Sequence, residues 1–185
     1  MEQKQSSTRP NGERRNVCVL VVAGPAGSGK TSLGREVAAR LGWAFEDADA
    51  HHSEAAKQKM ARGEGLTDAD RAPWLSRLAD LVRERTEAGP PTVLACSALK
   101  RAYRETLLSS GGQLVWMYVP SEVLRQRLAE RTGHVAGLDL LPSQLRDVEP
   151  PGPDERAWIL DGARPLADLA RDLADRLRPV ERGSR

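Results

Sequence analysis

Gly24-Pro25-Ala26-Gly27-Ser28-Gly29-Lys30-Thr31 fits G-x-x-x-x-G-K-[ST] at every position. An apolar run, Val17-Cys18-Val19-Leu20-Val21-Val22-Ala23, leads into it, and Leu33, Val37, Ala38 and Leu41 follow at helical spacing. The order strand, glycine loop, helix is the context that gives the motif meaning. Glycines let the backbone curl so that successive N–H groups face an anion. The helix that follows turns its positive end on the same anion. Residues 24–31 therefore form a candidate nucleoside triphosphate site. Lys30 reaches toward the outer phosphates and the Thr31 hydroxyl is a candidate Mg²⁺ ligand. The alternative, a glycine turn that only links a strand to a helix, explains neither the lysine nor the hydroxyl.

With 185 residues the chain is expected to form one domain. A net charge of +2 lacks the strongly basic face that nucleic acid demands, so no nucleic-acid partner is expected. No apolar run approaches the roughly 20 residues of a membrane span, and the first residues lack the apolar core of a signal peptide. Cys18 and Cys96 both lie in apolar runs and read as buried free thiols, which suits a cytoplasmic location.

Residues 1–16 are polar and aperiodic and read as a disordered tail, as does the polar end beyond 178. Strands are expected at 17–23, 43–49, 92–96, 114–119 and 157–161. Helices are expected at 30–41, at 53–62 ended by Gly63, from Thr67 as cap, from Ser121 as cap, at 143–147 and at 166–177. Five strands alternating with helices predict an α/β fold with three layers around a parallel sheet. Two insertions, about 50–74 and 132–147, are placed to cover the ligand crevice. The second contains glycines and reads as a mobile lid.

The candidate chemistry lies at predicted strand ends, where open parallel sheets bind ligands. Asp47 and Asp49 end the second strand and, two apart, point to one side. One acid supports Mg²⁺ through water while the other takes a proton from an attacking hydroxyl, or both are turn and cap aspartates. Of His51 and His52, one is expected to be exposed and the other to bond locally. Arg71 either clamps an anionic substrate group or makes a surface ion pair. Lys100, Arg101 and Arg104 fall on the first turns of a helix, where the dipole favours acids, and so imply an anionic partner, or for Arg101 a solvated helix face. Arg127 and Arg131, four apart, share a face beside the lid and are placed to meet phosphate.

Other classes that use this glycine loop fit less well. An N-K-x-D guanine reader and a D-x-x-G switch are missing, and the strand at 92–96 ends in Cys96-Ser97 rather than in paired acids. A small kinase acting on a small molecule suits the length and the Asp pair. A nucleotide-binding regulator without turnover is disfavoured by the intact Lys30, Thr31, Asp47 and Asp49.

Longer strings narrow the class. They are Asp47-Ala48-Asp49 with His52, Lys59-Met60 with Gly63, and Leu66-Thr67-Asp68-Ala69-Asp70-Arg71-Ala72-Pro73-Trp74-Leu75. To these add Cys96-Ser97-Ala98-Leu99-Lys100-Arg101 with Tyr103-Arg104, and Gly133-His134, Ser143-Gln144 and Glu149 with Pro151. In these segments the chain resembles the small P-loop gluconokinases, relatives of shikimate and adenylate kinases. The resemblance covers residues 17–177. It implies an ATP- and Mg²⁺-dependent, cytoplasmic, homodimeric enzyme that phosphorylates the 6-hydroxyl of D-gluconate. It assigns Gly24, Pro25, Ala26, Gly27, Ser28, Gly29, Lys30, Thr31, Arg127 and Arg131 to the nucleotide. Asp49, His52, Arg71, Lys100, Arg104 and His134 go to gluconate, and Thr31 and Asp47 to the metal. Lys30, Asp49 and Arg127 are then the catalytic group. The chain departs from the family pattern at Ser53, Ala56, Gly65 and Val135, positions that bear on substrate affinity and lid packing. The nearest alternative is a kinase of shikimate or a related sugar acid.

Overall fold

The computed structural model describes residues 17–130 and 135–178, the side chains of 135–139 excepted. The expected tails, Arg131 and His134 lie outside these residues. Five parallel strands form one sheet: β1 (Val19–Ala23), β2 (Ala44–Asp47), β3 (Thr92–Cys96), β4 (Gln113–Tyr118) and β5 (Trp158–Asp161). Their order is β2-β3-β1-β4-β5, so β1 and β3 lie inside the sheet. Both are buried along their whole length, which is why they read as unbroken apolar runs rather than alternating ones.

Helices cover both faces. α1 (Lys30–Leu41) and α7 (Leu166–Leu177) pack on the side of Leu20, Val22, Val93 and Val115. α3 (Asp68–Glu87) and α4 (Arg101–Leu107) pack on the side of Val19, Val21, Leu94 and Trp116. The bounds of α1 and α7 are those expected from the sequence. Gly42 stops α1 in the left-handed conformation at φ 67°, its N–H bonded to the Ala38 carbonyl. Cys96 is buried, and burial pushes its thiol up to about 12, so it is an inert core residue.

The second insertion differs from expectation. α5 (Ser121–Ala129) starts one residue earlier than a Ser121 cap implies, with Pro120 at the cap position. After it, α6 runs over Val135–Asp147, not only over 143–147. Pro142 is tolerated inside it, and Leu141 and Leu145 pack against Leu124 and Leu128. That apolar packing outweighs the glycine and proline signals that made the stretch read as loop. In the first insertion, α2 (Glu54–Ala61) is capped by Ser53, whose Oγ accepts the Ala56 N–H at 3.2 Å. α3 opens on the expected Thr67 cap, completed as a capping box by Asp70.

Candidate active site

All strands point their carboxyl ends to one edge, and the glycine loop lies there between the ends of β3 and β4. Gly24 N–H bonds the Ser97 carbonyl at 3.2 Å, fixing the loop to the β3 end. Gly27 sits at φ 79°, where a Cβ would meet the Leu124 carbonyl at 3.2 Å. Gly29 caps α1 at φ 92° without a side-chain bond, so the positive end of the helix dipole opens on the loop.

Two cavities meet at this loop. One, of about 340 Å³, is lined by the loop from Gly27 to Thr31 together with Met117, Arg127, Gly162, Arg164 and Leu166. Arg127 is held there by an Nη2–H bond to the Gly162 carbonyl at 2.9 Å. The other, of about 370 Å³, shares Gly27, Lys30 and Thr31 and adds Asp49, His52, Arg71, Ser97, Leu66 and Gln144. Gly65 lines this second cavity as well. Lys30 and Thr31 thus stand at the junction of the two cavities.

The two aspartates lie on different elements. Asp47 ends β2, but Asp49 is carried on a 3-10 turn, Ala48–His51, so strand alternation does not relate them. Asp47 Oδ1 caps that turn by accepting the Asp49 N–H at 3.2 Å, so the turn-cap reading holds for this residue. Its other oxygen, Oδ2, accepts the Thr31 hydroxyl at 3.4 Å. The pairing brings a carboxylate and a hydroxyl together beside the loop, the hard oxygen donors that Mg²⁺ takes along with phosphate and water.

The turn is tied to α3 by Trp74. Its indole N–H donates to the Ala48 carbonyl at 2.7 Å, and its ring stacks on His52 with centroids 4.5 Å apart and planes 8° from parallel. His52 is 8% exposed, and its Nδ1 is buried with no partner among the described residues. Burial pushes the His52 imidazole below its ordinary value, against a smaller upward pull from Asp49. A neutral ring thus lines the second cavity, with its Nδ1 buried behind the surface. His51 is the histidine that bonds locally, to Glu46 at 3.3 Å, and neither histidine is the exposed one expected.

The expected anion clamps separate. Arg71 lines the second cavity and donates to Tyr103 Oη at 3.1 Å and to Asp147 at 3.2 Å. Lys100 binds Asp68 at 2.8 Å, and Tyr103 donates to the same carboxylate. Lys100 therefore stands beside Arg71, outside the cavity lining.

Arg104 is a correction. It is 1% exposed and donates to both oxygens of Glu155, at 2.6 and 2.8 Å, and to the Ala98 and Leu99 carbonyls. Arg101 likewise pairs with Asp154 at 2.6 Å and with Glu105. The anions that offset these cations are the protein's own carboxylates on the segment after α6, so the helix-dipole argument for a substrate anion fails for both.

Among the described residues, three contributors escaped the sequence reading as site residues. Trp74 stands in a recognised string without a role of its own. Arg164, in the first cavity, carried no motif. Gln144 fell in a recognised string without a role, and its Oε1 accepts the Ala26 N–H at 2.7 Å.

A parallel five-stranded sheet, a phosphate loop at its edge and an acid-bearing second cavity define a P-loop kinase of small molecules. A family model described as an AAA domain matches residues 19–151. The gluconokinase of Gluconobacter oxydans (strain 621H) is 47% identical over 147 residues, which are 78% of this chain and 83% of that protein. Among solved structures, a sugar kinase from Janibacter sp. HTCC2649 superimposes with a TM-score of 0.81 at 39% identity, covering 87% of this chain and 94% of that one. A gluconokinase from Sinorhizobium meliloti 1021 gives 0.76 at 38%, covering 89% and 93%. The chain belongs to the gluconokinase family. Among the described residues no helix is long and apolar enough to cross a membrane.

Proposed function

We propose that this protein transfers the γ-phosphate of ATP to the 6-hydroxyl of D-gluconate, giving 6-phospho-D-gluconate and ADP. The observation that carries this reading is the meeting of two cavities at Lys30 and Thr31, with Asp49, His52 and Arg71 in the second. The printed names of the relatives point to the same acceptor.

In this reading the loop N–H groups and Lys30 hold the outer phosphates, and Arg127 adds a positive charge from the donor side. Thr31 and Asp47 hold Mg²⁺, which supplies charge neutralisation on the phosphate oxygens. Asp49 orients the 6-hydroxyl and takes its proton as the new O–P bond forms and the bond to ADP breaks. Arg71 offers a planar donor pair to the gluconate carboxylate, releasing Asp147. The neutral His52 ring, which lines the same cavity, contacts the polyol. Arg131 and His134 complete the lid side of the same proposal, with α6 as the roof of the acceptor cavity. The enzyme acts in the cytoplasm as a homodimer, which light scattering checks against twice the 20.2 kDa chain mass.

The test is ADP release with Mg-ATP and a panel of gluconate, shikimate, glycerate and nucleoside monophosphates. Gluconate should give the highest kcat/KM. ADP release with gluconate no faster than with buffer would sink the proposal.

A further inference from the structure

α6 carries a polar face that no proposed step yet uses. Leu140, Ser143 and Gln144 line the acceptor cavity, and Asp147 reaches Arg71. Positions 140, 143, 144 and 147 recur at helical spacing and so share one face. The opposite stripe, Leu141 and Leu145, seats the helix against α5 and Ala26. α6 is thus fixed at two points across the cavity, on α3 by Asp147 and on the phosphate loop by Gln144.

The second point is unusual chemically. The third residue of the glycine loop spends its N–H on a side chain 118 residues away, at 2.7 Å. Because Ala26 N–H can only donate, the carboxamide atom facing it must be the oxygen. That settles the orientation of the group: Nε2, with two donors, lies on the other side of the amide carbon. It has no partner among the described residues, although Gln144 itself lines the acceptor cavity.

We infer that Gln144 is a positioning residue for phosphoryl transfer. Its Oε1 holds α6 down on the loop through Ala26. Its Nε2 donates across the boundary between Lys30 and Thr31 on the donor side and Asp49 and His52 on the acceptor side. The recipient is the oxygen shared by both, on the phosphoryl group or on the attacking hydroxyl. The residue thereby couples closure over the acceptor to alignment with the phosphate. This rests on the gluconate kinase reading above.

Two variants separate the two halves of the side chain. Gln144→Glu keeps an acceptor for Ala26 N–H, loses the donors and adds negative charge beside phosphate. Gln144→Leu removes both functions. The Ala26 amide resonance, followed by ¹⁵N–¹H NMR in the nucleotide-free enzyme, reads the loop contact without any acceptor substrate. It should keep its shift in Gln144→Glu and move in Gln144→Leu. In steady-state assays Gln144→Glu should lose at least ~10-fold in kcat, the ratio that a lost hydrogen bond to a charged group carries. Its ADP affinity by calorimetry should stay near the wild-type value. A Gln144→Glu enzyme within twofold of wild-type kcat would reduce the residue to a latch and overturn the inference. So would an Ala26 resonance indifferent to Gln144→Leu. Wild-type enzyme that ignores gluconate refutes the proposed function instead, and the Ala26 resonance still decides the contact.

Discussion

Asp49 and Arg104 show opposite fates for charged residues that the sequence places beside the ligand crevice. Asp49 stands in the acceptor cavity beside Lys30 and Thr31. Asp49→Asn keeps the shape but removes the base, so kcat should fall by about 10²–10⁴-fold, the usual span of general-base catalysis. ATP affinity measured by calorimetry should change little, and equal losses in both would mark a structural role. Arg104, by contrast, is a buried brace between the loop after β3, α4 and the segment carrying Glu155. Arg104→Ala leaves Glu155 uncompensated and should cost about 3–5 kcal/mol in denaturant unfolding. A stable variant that lost only gluconate affinity would contradict this. The contrast explains what was readable in the sequence. Lys30 and Thr31 stand with their neighbours in one short motif, so their place at the loop could be read locally. The partner of Arg104 lies 51 residues on and that of Ala26 lies 118 on, and nothing local encodes either meeting.

Among elements, the 3-10 turn at Ala48–His51 matters most, because it presents Asp49 and leads into His52. Its anchor is Trp74 in the first turns of α3, whose start is set by the Thr67–Asp70 capping box. Trp74→Phe keeps a ring against His52 but orphans the Ala48 carbonyl. It should cost about 1–3 kcal/mol of stability in thermal or denaturant melts, and raise the gluconate KM while leaving that of ATP near wild type. Unchanged stability would mean that the indole N–H does not hold the turn. Elements with strong periodicity or caps, α1, α3 and α7, were legible from sequence. α6 was legible only at its end, since Gly137 and Pro142 mask a helix that packing sustains. The Asp-Ala-Asp string was found but misassigned to one strand, because side-chain capping by Asp47 ends the strand early.

For the whole molecule, the parallel sheet and its crossovers followed from five apolar runs alternating with helical patterns, and the structure has that architecture. Its stability should depend on acid in two stages. His52 has a lowered value in the fold, so as pH drops below about 6.5 the unfolded chain binds a proton that the fold refuses, and stability declines. Glu155, lowered chiefly by its bond to Arg104, adds a second loss below about 4.3, where the unfolded carboxylate protonates first. Thermal melts from pH 8 to pH 2 should show both stages, and His52→Asn should remove the first. A wild-type melting temperature that stays flat down to pH 5 would contradict the buried, neutral His52. The central claim concerns which hydroxyl lies in line beyond Lys30, and proton-coupled ³¹P NMR of the product formed from Mg-ATP and D-gluconate tests it most directly. Esterification of the primary 6-hydroxyl couples phosphorus to the two protons of one methylene, and the account predicts that triplet. A doublet from a secondary hydroxyl, a singlet from the carboxylate, or no ester signal at all would contradict it.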